Sequence, residues 1–231
     1  SLPEASNNIM SPIQVRIKPT NVCAHNCWYC AYKADNLQLG KDMKKGDFIP
    51  KGKMMEILDD IIEMDVKGVT FSGGGDPFYY PYLLEVVKKL SGSPVKFAAL
   101  TNGAGLHGEI AEIFSHHGTW LRISIDGWDD ESYSFYRGVQ KGEFTKVIKN
   151  MENFKKIGGE CFLGVSLIVD KKNAPHVFEF IKRLKNIGVD SVKVSPCIPN
   201  ENVDENNSYH KAVFKEVEEQ TKKALEVFSG N

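Results

Sequence analysis

Cys23-Ala24-His25-Asn26-Cys27-Trp28-Tyr29-Cys30 is the stretch on which the reading of this chain turns. Its three cysteines follow a C-x3-C-x2-C spacing, in a loop just past residues 13–18, which read as a first strand. Thiolates this close along a chain converge on one inorganic centre. On a cubane [4Fe–4S] cluster, three protein thiolates leave one iron with a free coordination position, which a fourth cysteine would normally close. The alternative is a zinc site with His25 as fourth ligand. His25 stands between two of the cysteines, so tetrahedral ligation is cramped, and no second C-x2-C pair is present.

Outward from the cysteines, strand-like and helix-like stretches alternate. Further strands are expected at residues 69–72, 95–100, 120–125, 161–169 and 191–195. Helices are expected at 53–64, 82–90, 109–116, 144–155, 175–187 and 209–228. The first helix places Met54, Ile57, Leu58, Ile61 and Ile62 at helical spacing, and the last carries a stripe of Val213, Phe214, Val217, Thr221, Leu225 and Phe228. Gly230 suits the cap of that last helix. Six βα units in a row predict an α/β fold, a parallel sheet with its helices outside. Right-handed crossovers curl such a sheet into an open partial barrel or leave it a doubly wound layer. In either form, binding residues belong at the carboxyl ends of the strands. Residues 33–53 break the rhythm with three glycines and six lysines. They read as a solvated face, or as a binding loop.

Bulk properties narrow the class. The chain has 231 residues, 42% of them hydrophobic and 26% charged, with a formal net charge of −1. That is one medium-sized domain, with no global field to recruit nucleic acid or an acidic membrane. No apolar run approaches the ~20 residues needed to cross a bilayer. The first ten residues lack the features of a secretory signal and an initiating methionine, so a processed N-terminus is expected. Five cysteines, three of them clustered, argue for a reducing cytoplasm rather than a disulfide framework. Cys161 and Cys197 read as buried, inert thiols.

A second constellation is Val69-Thr70-Phe71-Ser72-Gly73-Gly74-Gly75-Asp76-Pro77, where a strand runs into three glycines, an acid and a proline. Alone it reads equally as a tight turn or as a place where backbone approaches a ligand. It is not a G-x-G-x-x-G fingerprint. Together with the cysteine loop it resembles the radical S-adenosylmethionine (SAM) superfamily. Thr101-Asn102-Gly103, Ser124-Ile125-Asp126-Gly127 and Tyr136-Arg137-Gly138 follow in order, similar to the branch of the molybdenum-cofactor cyclase and the SPASM-type maturases.

The resemblance implies a partial (β/α)6 TIM-like barrel and an enzyme that reductively cleaves SAM to a 5′-deoxyadenosyl radical, which takes hydrogen from a peptide, a sugar or another small molecule. It implies that Cys23, Cys27 and Cys30 hold the [4Fe–4S] cluster and that Tyr29 lies near the adenine. Gly73, Gly74 and Gly75 would meet the SAM amino group, and Asp76 stands where the family usually has glutamate. Ser124 and Asp126 would face the ribose or carboxylate, Arg137 the carboxylate and Ser166 the ribose. Asn102 would support the SAM site or touch substrate, and Ile198 would pack on adenine or sit in the core. An electron donor such as flavodoxin or ferredoxin is implied as partner. The chain is read as one core domain, 1–231, either working with one cluster or cut short before a cysteine-rich extension. Two other readings stay open: a zinc or iron–sulfur module without SAM turnover, and an electron-transfer protein.

Overall fold

In a computed structural model of the chain, which describes residues 10–33 and 40–228, six parallel strands form one sheet in the order β1 to β6. They are β1 (Gln14–Ile17), β2 (Gly68–Phe71), β3 (Lys96–Thr101), β4 (Trp120–Ile125), β5 (Phe162–Val169) and β6 (Ser191–Pro196). A doubly wound sheet reverses its strand order at a switch point. Here each strand pairs with the next in sequence, so the chain winds one way only. The first and last strands are not paired, and the result is the open partial barrel rather than the layered alternative.

Strand periodicity separates the two faces. Phe71, Leu121, Ile123, Ile125, Leu163 and Val165 are fully buried on the outer face, beneath the helices. The helices are α1 (Lys51–Glu63), α2 (Leu83–Ser91), α3 (Gly108–His117), α4 (Asp130–Arg137), α5 (Glu143–Ile157), α6 (Val177–Ile187), α7 (Val203–Lys211) and α8 (Phe214–Phe228). Helix α1 inserts Met54, Leu58 and Ile61, and α5 inserts Phe144, Val147, Met151 and Phe154. Phe114 of α3 is fully buried, stacked on Phe78 and edge-on to Phe97, with both ring centroids 5.2 Å away. After Asp76, Phe78 joins this core, and the Tyr80 hydroxyl donates to the Ile49 carbonyl at 2.7 Å.

Two expectations about helices need correction. Residues 209–228 are not one helix. Helix α7 begins at Val203, where the Asn202 side chain accepts from the amides of Asp204 and Glu205, and it ends before α8 starts at Phe214. The stripe on α8 also does not bury as a unit. Phe214 and Leu225 are 68% and 59% exposed, while Ala224 is buried. The helix docks on α6 instead, with Phe228 stacked on Phe178 and Gln220 bonded to the Phe178 amide and the Ala174 carbonyl. The expected cap at Gly230 lies outside the described residues. Among the described residues, no helix is long and apolar enough to cross a membrane.

Candidate active site

The loops after β1 and β2 are laced together at the carboxyl end of the sheet. The Gly75 amide donates to the Thr20 carbonyl at 2.8 Å, and the Asp76 amide to the Val22 carbonyl at 2.9 Å. A Cβ on Gly75 would lie 2.0 Å from the Val22 oxygen, next to the first cysteine. Gly74 adopts φ 86°, which side chains resist. The glycines thus let one loop lie directly against the other, a packing role as well as an exposure of backbone.

Asp76 is buried and its acceptors are filled. It receives the Phe78 amide (2.9 Å), the Asn102 amide (2.6 Å) and the Thr101 hydroxyl (2.9 Å to one oxygen). Burial pushes its carboxyl up, against the pull of those donors. It therefore brackets the ends of β2 and β3, which accounts for the acid at this position without any ligand. The loop after β3 is held in turn from α5. Asn150, buried, donates to the carbonyls of Gly103 and Ala104 at 2.9 and 3.2 Å. Asn150→Ala removes both bonds; the Gly103 carbonyl keeps the Leu106 amide at 3.2 Å while the Ala104 carbonyl loses its Asn150 donor, an expected cost of about 1–2 kcal/mol, measured as a lower denaturant midpoint.

The third wall comes from β4 and α4. Helix α4 starts in a capping box made by Asp129 and Ser132 and ends at Gly138, whose φ of 58° is left-handed. That stop delivers Arg137, buried, to the cysteine loop. Its Nε donates to Asp126 at 2.9 Å, its carbonyl accepts the Asn26 amide at 2.7 Å, and its Nη1 lies 3.5 Å from the Cys27 sulfur. Burial works against the Arg137 charge, but Asp126 and Cys27 more than offset it. Burial pushes the Asp126 carboxyl up, and Arg137 opposes that. Tyr29 donates its hydroxyl to the other Asp126 oxygen. Asn102 Nδ2 lies 3.8 Å from the Cys23 sulfur.

A cavity of about 290 Å³ gathers these groups. Cys23, Cys27, Cys30 and Tyr29 line it, as do Gly73, Gly74, Gly75 and Asp76. Asn102, Ser124 and Arg137 also stand at its wall, while Asp126 and Ser166 are not in the lining. Asp126 stands behind Arg137, and Ser166 pairs in register with Ser124. Ile198 is 58% exposed and is not part of this lining. A larger cavity of about 830 Å³ lies elsewhere, between β6 and α7–α8.

Lys33, also in the lining, was not singled out from the sequence. Its ammonium donates to the His25 carbonyl at 2.6 Å and the Cys23 carbonyl at 3.4 Å, so the start of the lysine-rich segment is a clamp on the cysteine loop. His25 is buried, its ring edge-on to Tyr133 and neither ring nitrogen hydrogen-bonded. Burial, with Arg137 and Lys33 adding, lowers its pKa to about 3, so it is neutral, and its 3.8 Å approach to Glu143 is no ion pair.

The donor set fits a cubane. Among the described residues, no three His, Cys, Asp or Glu side chains are placed to hold a single metal ion. Thiolates on a cubane sit on separate irons, so that arrangement is not required of them. Arg137 and Asn102 point N–H donors at two of the sulfurs, and Arg137 Nη2 is buried without a partner. Cys161 and Cys197 stand apart; burial pushes both thiols up to about 12, as inert thiols should be.

An open, one-way-wound parallel barrel with a three-cysteine loop at its carboxyl mouth defines a class of protein, and comparison with known proteins gives it a family. Residues 17–172 match the Radical SAM superfamily. The chain belongs to that superfamily, whose members use a [4Fe–4S] cluster together with SAM. A probable GTP 3′,8-cyclase of Sulfolobus acidocaldarius is 26% identical over 80% of this chain and 56% of its own length. An AdoMet-dependent heme synthase of Methanosarcina barkeri is 22% identical over 73% of this chain and 49% of its own. The fold matches Streptococcus suis SuiB bound to S-adenosylmethionine with a TM-score of 0.70 at 17% identity, over 94% of this chain and 48% of that one. The chain thus spans about half the length of these relatives.

Proposed function

We propose that this chain is the catalytic core of an enzyme that cleaves SAM reductively and uses the resulting radical on a small-molecule or peptide substrate. The observation that carries this reading is the buried, unpartnered Arg137 Nη2 in a cavity shared with the three thiols. A cationic donor left unsatisfied in a buried site is costly and calls for an anion.

Cys23, Cys27 and Cys30 would hold three irons of the cluster, and the SAM carboxylate would take the free Arg137 donor. Gly73, Gly74 and Gly75 offer backbone to the amino group, Ser124 and Ser166 hydroxyls to the ribose. Tyr29, its own hydroxyl committed to Asp126, would meet adenine through its backbone. With cluster and SAM bound, the cofactors supply one electron and a hydrogen-abstracting radical. The chain's own part is to hold, orient and shield. Lys33 clamps the loop, and Arg137 and Asn102 direct N–H donors at two of the sulfurs, which would tune the cluster potential. A reduced ferredoxin or flavodoxin is the electron donor this scheme asks for, and a reducing cytoplasm the compartment. Both a GTP cyclase and a peptide-bound SuiB lie among the relatives, which supports the breadth of the substrate class.

The test is anaerobic reconstitution with iron and sulfide, reduction with dithionite and addition of SAM. Methionine and 5′-deoxyadenosine are expected by mass spectrometry; an iron-loaded sample that forms neither contradicts the proposal.

A further inference from the structure

Beside and below the cysteine cavity, the inner wall of the barrel has a charge pattern to which the proposed SAM site assigns no role. Leu100, Ser124 and Ile168 line the cavity, so their strand parity faces the lumen, while Ile123, Ile125 and Val165 are buried beneath the helices. Arg122, two residues before Ser124, shares that face. Lys193 pairs with Ser166, which pairs with Ser124, so it stands in the same inward row. Arg16 pairs with Thr70, four residues before the cavity-lining Gly74, and Lys18 follows on the same face. The aliphatic end of Lys18 passes Gly73, and its ammonium lies 4.9 Å from the Tyr32 ring centroid.

Among the described residues these cations have no counter-charge. Among the described residues, Arg16, Lys18, Arg122 and Lys193 form no ion pair, and no Asp or Glu occupies an inward position on the six strands below Asp126 and Asp170. The acids at the strand ends are committed: Asp126 to Arg137, Asp76 to Thr101 and Asn102, Asp170 to the Tyr136 hydroxyl. Arg122 Nε is buried and has no hydrogen-bond partner. Beside it, Gly164 leaves space that a Cβ would fill, 3.4 Å from that nitrogen and 3.1 Å from the Ser191 hydroxyl. A solvated surface scatters both signs of charge; a concave wall of one sign concentrates anions.

We propose that the barrel lumen binds a small polyanionic substrate, bearing phosphoryl or carboxylate groups, through Arg122, Lys193 and Lys18, with Arg16 beneath. This rests on the enzymatic reading above and names the substrate class. The anionic end would sit against this wall, leaving the rest of the molecule to reach the SAM cavity beside it.

Isothermal titration of the cluster-loaded chain with inorganic pyrophosphate and, separately, with citrate tests this. Saturable binding of at least one is expected. It should weaken about tenfold in Arg122→Gln and in Lys193→Gln, since each loses a charge-assisted contact. It should change by less than about twofold in Lys156→Gln, an exposed cation on α5. Pyrophosphate alone marks phosphoryl recognition, citrate alone carboxylate recognition, and either supports the proposal. Binding of neither, or binding indifferent to both lumen substitutions, overturns it. Lys193 is exposed, so its variant decides the matter even where Arg122→Gln fails to fold. Iron content and 5′-deoxyadenosine formation in the same preparation report on the enzymatic reading separately. A sample that passes those and ignores both anions defeats this inference alone.

Discussion

Cys27→Ala is expected to reduce 5′-deoxyadenosine formation to background while leaving the metal-free protein nearly as stable as the parent. The two halves of that result have different origins. A cubane held by two cysteines has two open irons and is lost or degraded on purification, so iron content should fall with activity. The side chain itself does little for the fold. Its sulfur contacts Arg137 Nη1 at 3.5 Å, and the lacing of the loop runs through backbone groups of Val22, Asn26 and Thr20. Removing one weak sulfur acceptor should cost under about 1 kcal/mol, a shift of roughly 2–4 °C for a chain of this size. Iron analysis, product detection and a thermal melt on one preparation check all three. Retained product formation would mean that the thiols are misassigned.

Asp76→Ala is expected to do the opposite: unsettle the fold first, and the site as a consequence. The carboxylate satisfies two backbone amides and the Thr101 hydroxyl in a fully buried position. Truncation leaves the Phe78 and Asn102 amides without acceptors at about 1–3 kcal/mol each, partly offset by the relief of burying a charge. A net loss of about 3 kcal/mol, or roughly 6–12 °C in Tm, is expected. Asp76→Asn should recover only part of it, since one carboxylate oxygen becomes an NH2 facing donors. The metal-free protein should show the loss in full. If its Tm is unchanged while SAM binding is abolished, Asp76 is a ligand contact and not a bracket.

The contrast between these residues marks what the sequence made legible. Strand positions and the cysteine loop were readable because each carries a local signal: apolar runs between turns, and three thiols in eight residues. Glycine and acid in the second loop were readable as a motif but not as packing, because the Val22 carbonyl that crowds Gly75 comes from a loop more than fifty residues earlier. Helix α4 was not among the expected helices, since Asp130–Arg137 is largely polar and owes its helix to the capping box and the left-handed stop. Asn150 and Lys33 carried no signal, for their partners are backbone carbonyls that any residue supplies. On α8 the period was right and the expected face was right in part: Val217 and Phe228 pack, as does Val213 just before the helix, while Phe214 and Leu225 are exposed. Periodicity shows that a stripe exists, not what covers it; Gln220, which lies off the stripe, bonds the Phe178 amide at the start of α6, and Ala224 is buried. Ile198 fell outside the cavity for a related reason, since the chain leaves the sheet after Pro196 and turns its side chain to solvent.

The account depends on an iron with an open position beside the Arg137 donor. Electron paramagnetic resonance of the dithionite-reduced, reconstituted protein, recorded with and without SAM labelled at its methionine nitrogen or carboxylate, addresses that directly. A signal that shifts on adding SAM and shows hyperfine coupling to the label is the predicted result. A reduced cluster whose spectrum is the same in both samples would contradict it.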